Sequence, residues 1–373
     1  MSAEYGAVAG LPDGNPPAHR RRQVTLQQAR CRRRAELNLY DAGPQFRGTL
    51  ESHCLSKVEK YRMRTGSKPI VRSSTYEIDV AVPFRLDLTV SALRRLSANI
   101  VDVFTPDGQY IRAFGSSYEP LIARVTQKRP GMLALALDGD VGEHPRAIAL
   151  VRRMLGVDRE LTHFNRAAAR ISWLRPLAQR MLGVKPPRYP TLWEACVNSI
   201  VFQQVSLHAA SAILRKIIFV TSPALTYDGS VMHTFPSAES VQSTEDGLLL
   251  AAGLSERKLA TLRRVGDALL SGMLDETMLE ERASPDAVEL LCRLKGIGPW
   301  TATVILLRGL GRLDVFPMND SSVARNLRLV AGDAPLDVDG ILRALGPQKG
   351  MLYYHLLLAR LETRDDVGRA SAY

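Results

Sequence analysis

The stretch that decides the fold of this chain reads Leu294-Lys295-Gly296-Ile297-Gly298-Pro299-Trp300-Thr301-Ala302. Apolar residues at helical spacing from Ala287 to Leu294 predict a helix before it. Gly296 and Gly298 then end that helix, because glycine reaches positive φ without a Cβ clash. Pro299 has a fixed φ and no N–H, so it suits the first turn of a second helix. The stretch therefore predicts two helices joined by a tight hairpin, which together span residues 286–310.

The same hairpin predicts a place for a phosphate group. Its second helix begins with bare backbone N–H groups beside two glycines, an arrangement with which proteins bind phosphate. An ordinary corner between two helices is the alternative interpretation, and a lone Gly-x-Gly would favour it. The Leu-Lys before the glycines and the Pro-Trp-Thr-Ala after them favour phosphate binding.

A single carboxylate follows the hairpin closely. Asp320 ends the segment Val315-Phe316-Pro317-Met318-Asn319-Asp320, 20 residues after Trp300. A helix is predicted to begin directly after it at Ser321, so Asp320 is either an N-cap of that helix or an acid that acts beside the hairpin. A hairpin that binds the phosphate backbone, together with a single nearby carboxylate, suggests an enzyme that acts on DNA.

These segments resemble the helix–hairpin–helix DNA glycosylases, and within that superfamily the bacterial 3-methyladenine DNA glycosylase II (alkylbase) group. Two further stretches carry the resemblance, Thr191–Ser206 and Tyr354–Arg360, and it covers roughly residues 72–362. It implies an α+β fold, with a mainly helical, two-lobed core that contains the hairpin and a small N-terminal antiparallel-sheet domain.

The resemblance also implies an activity. A monofunctional glycosylase of base-excision repair flips an alkylated purine (3-methyladenine or 7-methylguanine type) out of duplex DNA and hydrolyses its N-glycosidic bond. Asp320 matches the catalytic residue, whose carboxylate stabilises the oxocarbenium-like sugar and orients or deprotonates the attacking water. Trp300 stands where some members carry a lysine that forms a Schiff base, and an indole cannot do so. We therefore expect no lyase activity.

Further site residues follow from the same resemblance. Gln204 matches the side chain that fills the gap left by the flipped base, although a polar turn between two helical halves is an equal alternative. Trp300 offers a face for stacking a cationic base, or else is a core tryptophan. The candidate base pocket consists of Trp300, Val304, Ser321 and Leu357. The candidate DNA contacts are Lys295, Gly296, Ile297, Gly298, Thr301, Gln203, Gln204 and Ser206.

Three departures leave the substrate open. Val304 and Ser321 replace tyrosines of the resembled group, and Leu357 replaces a tryptophan. A pocket with fewer aromatic walls holds cationic bases less tightly by stacking, so hypoxanthine or an uncharged methylpurine is an alternative substrate. Another alternative is a helix–hairpin–helix protein that binds DNA and has lost efficient excision.

Composition agrees with a polyanionic partner, damaged double-stranded DNA. The chain has 373 residues, a net charge of +11 and a pI near 9.7, although solvated surface charges alone would give the same values. The four cysteines, Cys31, Cys54, Cys196 and Cys292, lie far apart, and none follows Asp320, so we expect no iron–sulfur cluster. We expect an intracellular monomer without a membrane segment or signal peptide.

The chain divides into three predicted regions. Residues 1–68 hold 13 Lys and Arg against 6 Asp and Glu, which is +7 of the total +11. This tail is predicted to be disordered, and either tethers DNA or is an extension without function. Alternating residues predict an α+β domain at 72–143, with hairpins turning at 106–108 and 129–131. Residues 144–373 are predicted to form the helical catalytic domain, with one long helix at Thr191–Ile218.

No cofactor is required for the hydrolysis that the resemblance implies. The hairpin of the family often holds a monovalent cation, Na⁺ or K⁺, on backbone carbonyls. The matching carbonyls here are those of Cys292, Leu294 and Ile297. Any residue supplies a carbonyl, so the sequence gives no signal for this ion.

Overall fold

The structure, a computed structural model, describes residues 73–115, 119–318 and 321–367, without the side chain of Ser321. Asp320 and the predicted tail at 1–68 therefore lie outside the described residues. Apart from the hairpin tip at 227–230, the described residues belong to one structural unit. No helix among them is long and apolar enough to cross a membrane.

Alternating apolar and polar residues form an antiparallel sheet of five strands in the order β1-β5-β4-β3-β2. The strands are β1 (Ser74–Asp79), β2 (Val103–Phe104), β3 (Tyr110–Gly115), β4 (Pro120–Arg129) and β5 (Met132–Asp138). Gly108 and Gly131 turn the two hairpins with φ values of 83° and 88°, a region open to glycine. Both predicted hairpins are confirmed, and Ile78 faces Leu133 across the first pair of strands.

Helices make up most of the remaining described chain, so the expected α+β class is confirmed. The helix between the first two strands is α1 (Leu86–Arg94). The helices after the sheet are α2 (His144–Leu155), α3 (Thr162–Arg170), α4 (Arg175–Arg180), α5 (Leu192–Val201), α6 (Leu207–Thr221), α7 (Ala238–Gln242), α8 (Asp246–Ala251), α9 (Glu256–Leu270), α10 (Glu276–Glu280), α11 (Ser284–Cys292), α12 (Pro299–Gly309), α13 (Ser321–Ala331), α14 (Val338–Leu345) and α15 (Met351–Glu362). The division into domains at residues 143 and 144 stays a prediction.

The predicted single helix at Thr191–Ile218 is wrong, because the chain breaks between α5 and α6. Gln204 adopts a φ of 55°, which no right-handed helix accommodates. Ser206 then starts the second helix, since its side chain accepts a hydrogen bond from the N–H of Ala209 at 3.2 Å. The sequence reading also missed a short hairpin formed by β6 (Ala224–Tyr227) and β7 (Ser230–His233).

Packing of the helices brings distant segments to one place. A buried apolar cluster joins α1, α3 and α4 to the helices that follow the hairpin, with Leu88, Phe164, Leu177 and Leu352 among its members. Within this arrangement α12 packs on α5 and α11, and α13 packs on α15. The hairpin between α11 and α12 therefore lies against the end of α5.

A buried charge network links the sheet to α5. The Arg112 guanidinium on β3 lies 2.6 Å from the Asp102 carboxylate and 2.5 Å from that of Glu194 on α5. Tyr110 adds a hydrogen bond from its hydroxyl to Asp102 at 2.8 Å. All three charged side chains are at most 3% exposed. Burial raises the pKa of the Glu194 carboxyl to about 7, despite the attraction of the Arg112 charge.

Replacement of Arg112 by methionine tests this network. Arg112→Met removes the cation and leaves Asp102 and Glu194 buried without compensation, so we expect a loss of about 3–5 kcal/mol in the free energy of unfolding. Arg293→Met is the control, because Arg293 and its partner Glu289 are 72% and 74% exposed and such pairs contribute about 0–1 kcal/mol. Urea unfolding at pH 8 measures both values. Equal losses in the two variants would contradict the role of the network.

Candidate functional site

The hairpin between α11 and α12 has the predicted form. After α11 ends at Cys292, the Ile297 N–H donates to the Leu294 carbonyl at 2.9 Å and closes a turn. Gly296 has a φ of 104°, which requires glycine. Gly298 is the N-cap of α12, with Pro299 next to it and no side chain capping the helix. The first turn of α12 therefore begins without a side-chain cap, as a helix that binds an anion does.

The loop between α5 and α6 holds this hairpin in place. The Gln203 side-chain amide donates to the Gly296 carbonyl at 3.1 Å and to the Thr301 hydroxyl at 2.8 Å. Arg264 of α9 donates to the Lys295 carbonyl of the same hairpin. The amide N–H groups of Gln203 therefore brace the hairpin, and its predicted contact with DNA stays a prediction.

A cleft of about 790 Å³ opens beside the braced hairpin. The α5–α6 loop, the hairpin and the helices α9, α13 and α15 contribute its walls. Nine of the residues predicted for the site line it, namely Gln203, Gln204, Ser206, Gly296, Gly298, Trp300, Thr301, Val304 and Leu357. Segments that are far apart in the sequence thus meet at one cavity.

The other predicted residues do not line the cleft, or lie outside the described chain. Lys295 is exposed and Ile297 is only 4% exposed, and neither lines the cleft. Asp320 and the side chain of Ser321 are not described. Ser322 and Val323, which come next in α13, do line the cleft. The described residues nearest to Asp320 on its C-terminal side are therefore part of the cleft wall.

The cleft wall combines aromatic and aliphatic side chains. Trp300 and Tyr353 are half-buried there, whereas Val304 and Leu357 are 2% and 9% exposed. Tyr354, the neighbour of Tyr353, instead points its hydroxyl into the core and donates to the Pro187 carbonyl at 3.0 Å. Two half-buried aromatic side chains thus form part of the cleft wall.

The contacts of His355 give it a structural role. Its Nδ1 lies 2.9 Å from the Met351 carbonyl of the same helix, and the ring packs on Phe164 at a centroid distance of 4.6 Å. Burial lowers the pKa of His355 to about 4, so the ring is neutral at physiological pH.

Positive charge surrounds the cleft. Six cationic side chains line it, namely Arg95, Arg257, Lys258, Arg325, Arg360 and Arg364, and no described lining residue is acidic. Three of them, Arg257, Arg325 and Arg364, are exposed. A cleft lined with one sign of charge concentrates ligands of the opposite sign. Sequence reasoning missed Arg95 and the three cations near the end of the chain, because no motif links them.

The comparisons with known proteins agree with this geometry. No family model matches the chain. It is 29% identical over 217 residues to a probable bifunctional transcriptional activator/DNA repair enzyme AlkA of Mycobacterium tuberculosis, covering 57% of this chain and 42% of that one. It is 29% identical over 137 residues to DNA-3-methyladenine glycosylase 1 of Schizosaccharomyces pombe, covering 36% of this chain and 56% of that one. The chain thus spans about half of the length of these relatives.

The fold also matches a solved structure. A 3-methyladenine DNA-glycosylase from Archaeoglobus fulgidus superposes with a TM-score of 0.64 at 21% identity, covering 77% of this chain and 99% of the other. The fold and the cleft define a helix–hairpin–helix protein with a cation-lined pocket beside the hairpin. The chain is thus similar in sequence to DNA repair enzymes that include 3-methyladenine DNA glycosylases, and it shares the helix–hairpin–helix glycosylase fold.

Single alanine substitutions test the geometry of the two hairpin glycines. A Cβ on Gly296 would lie 2.0 Å from the Thr261 hydroxyl oxygen, and its φ of 104° disfavours side chains. We expect Gly296→Ala to cost about 2–4 kcal/mol of unfolding free energy. A Cβ on Gly298 meets nothing within 4 Å, so Gly298→Ala should cost at most about 1 kcal/mol. Chemical unfolding gives both values, and a stable Gly296→Ala would refute the close approach.

Proposed function

We propose that the chain is a monofunctional DNA glycosylase that hydrolyses the N-glycosidic bond of alkylated purines of the 3-methyladenine or 7-methylguanine type in duplex DNA, in base-excision repair. One observation carries the proposal. The cleft brings the braced hairpin, the half-buried Trp300 and the residues that follow Asp320 together. The names of the two relatives support the same reaction.

DNA binding is supported by the charge and shape of the cleft rim. Exposed Arg257, Arg325 and Arg364 would meet phosphates, and each displaced counterion would make the affinity depend on salt. The uncapped start of α12 would receive one phosphate. Gln204 is exposed at the tip of the α5–α6 loop. We propose that the Gln204 side chain fills the gap that the extruded base leaves in the duplex. Its amide would also form a hydrogen bond with the unpaired base on the opposite strand.

Recognition of the base would rely on stacking. The indole of Trp300 and the ring of Tyr353 line the cleft, and an aromatic face attracts an electron-poor, cationic purine. Aliphatic Val304 and Leu357 complete the remaining wall of the base site.

Asp320 would supply the chemistry. As the N-glycosidic bond breaks, the base leaves with the bonding electrons and positive charge develops at the anomeric carbon. The Asp320 carboxylate stabilises that charge, and it takes a proton from the water that attacks the same carbon. The products are the free base and an abasic site.

Absence of lyase chemistry is part of the proposal. A Schiff base needs an unprotonated amine beside the sugar. Among the described lining residues the one primary amine is that of Lys258, and it donates to the Val201 carbonyl at 2.8 Å. Trp300 occupies the hairpin position where the lyase members of the superfamily carry their lysine.

No cofactor takes part in the proposed hydrolysis, but the hairpin suits a monovalent cation. Carbonyl oxygens are the natural donors for Na⁺ or K⁺. The Leu294 carbonyl already accepts from the Ile297 N–H and retains a second lone pair. The carbonyls of Cys292 and Ile297 would complete the set. Such an ion would brace the turn that precedes α12.

A second candidate function is the excision of another damaged base such as hypoxanthine. The aliphatic side chains of Val304 and Leu357 favour it, since they reduce the stacking on which a cationic base depends.

Replacement of Asp320 by asparagine tests the reaction. We expect Asp320→Asn to slow single-turnover release of 3-methyladenine and 7-methylguanine from duplex DNA by at least about 100-fold, because the amide carries no charge. Affinity for the same duplex should stay within about threefold of the wild-type value. Unchanged release would refute the role of Asp320. Wild-type protein that binds DNA without releasing any base would show a binding protein instead.

Gly298→Ala tests the proposed binding of a phosphate at the start of α12, and it should leave the fold intact. The added methyl group points into open space beside the start of α12, where we place the phosphate. We expect duplex affinity to fall about 10–150-fold, which corresponds to the loss of one charge-assisted hydrogen bond of about 1.5–3 kcal/mol. Gly247→Ala in α8 is the matched control, since Gly247 does not line the cleft. Fluorescence anisotropy measures the affinities for the duplex. An equal effect of both substitutions would exclude phosphate binding at the start of α12.

A further inference from the structure

Arg95 differs from the other cations of the cleft. It follows α1 directly and adopts a φ of 65°, a strained conformation for a residue other than glycine. Of the four described non-glycine residues with positive φ, Arg95 and Gln204 both line the cleft. The Arg95 guanidinium carbon lies 4.0 Å from the centroid of the Phe202 ring. Only 5% of Arg95 is exposed, although it lines the cleft.

The buried Arg95 charge stacks on Phe202 but has no anionic partner among the described residues. Its Nη1 has no hydrogen-bond acceptor there, and Arg95 takes part in no described ion pair. Its neighbour Arg94 is similarly buried, but the carboxylates of Asp366 and Asp102 offset its charge, and Arg94 does not line the cleft. A buried cation without a partner is costly. The position of Arg95 therefore points to a ligand that enters the cleft.

The depth of Arg95 indicates which part of a nucleotide it meets. Every other cationic residue that lines the cleft in the described chain is exposed or half-buried. Phosphates remain at the hydrated DNA surface, so those residues would meet them. A side chain that is 95% buried, stacked on Phe202, would meet the extruded base.

The planar guanidinium donates two parallel hydrogen bonds. On a purine, only a 6-oxopurine presents two adjacent acceptors, N7 and O6, whereas adenine presents one acceptor and one donor. Methylation at N7 removes an acceptor and adds positive charge, which the guanidinium repels.

We propose that Arg95 is a specificity-determining residue that donates to the N7/O6 edge of an extruded neutral 6-oxopurine and disfavours cationic bases. The inference rests on the proposed glycosylase function and develops its second candidate substrate: we expect hypoxanthine to be released faster than 7-methylguanine, because the Arg95 charge opposes the aromatic stacking that would otherwise favour a cationic base. Guanine carries the same edge, but three hydrogen bonds to cytosine keep it in the helix. Hypoxanthine opposite thymine is mismatched and leaves the stack at lower cost.

Three variants test the proposal on duplexes that contain hypoxanthine or 7-methylguanine, by single-turnover base release. Arg95→Gln should lower hypoxanthine release about 10–100-fold, the worth of a bidentate contact, and should raise 7-methylguanine release. Arg95→Lys should lower hypoxanthine release while it keeps the discrimination against the cationic base, because the charge remains. Arg94→Gln is the matched control and should affect both bases equally. Opposite changes for the two bases cannot arise from a merely structural role.

A binding measurement separates this proposal from the glycosylase function. A duplex with 2′-fluoro-2′-deoxyinosine resists hydrolysis, because fluorine destabilises the oxocarbenium-like sugar. Wild-type protein should bind it at least about tenfold more tightly than an undamaged duplex, and Arg95→Gln should lose this preference. If that pattern appears without base release from any duplex, the glycosylase function fails and the role of Arg95 stands. Equal effects of Arg95→Gln on both bases, or no wild-type preference for the fluorinated duplex, would overturn the proposal.

Discussion

Arg112 carries a buried positive charge between the carboxylates of Asp102 and Glu194, and this network fixes the sheet to α5. Each of these charges would be unfavourable alone in the interior, so the three side chains hold one another in place. The end of α5 then determines where the loop before α6 begins. That loop carries Gln203, which ties the hairpin by two hydrogen bonds. The position of the hairpin thus depends on a contact made by a strand in another part of the chain.

The shape of the cleft depends on these successive contacts. With α5 fixed, Phe202 lies beneath the guanidinium of Arg95, and Trp300 enters the same cavity from the start of α12. Cations from α9, α13 and α15 surround the opening, and charge of one sign there favours a nucleic acid. The deepest cation faces the region where a base would sit, whereas the outer ones suit phosphates. A single cavity can therefore separate recognition of the backbone from recognition of the base.

Much of the fold was readable in the sequence because local chemistry determines it. The turns at Gly108 and Gly131 and the hairpin at Gly296 were predicted correctly, since a glycine with positive φ ends an element wherever it stands. The helix expected at Thr191–Ile218 failed, because the apolar pattern continues through a break that Gln204 makes with an unusual backbone. Periodicity reports which face is buried and does not report where a helix stops.

The sequence by itself determined the hairpin, the excess of positive charge and the spacing of Asp320 from Trp300, because each is a property of a short segment or of the composition. Tertiary structure decided which of these residues share a cavity. Lys295 and Ile297 do not line the cleft, Gln203 both lines it and braces the hairpin, and Arg95 joins it from a distant segment. Those assignments depend on packing between distant segments, and a buried cation is recognisable as unpartnered only when all of its neighbours are in place.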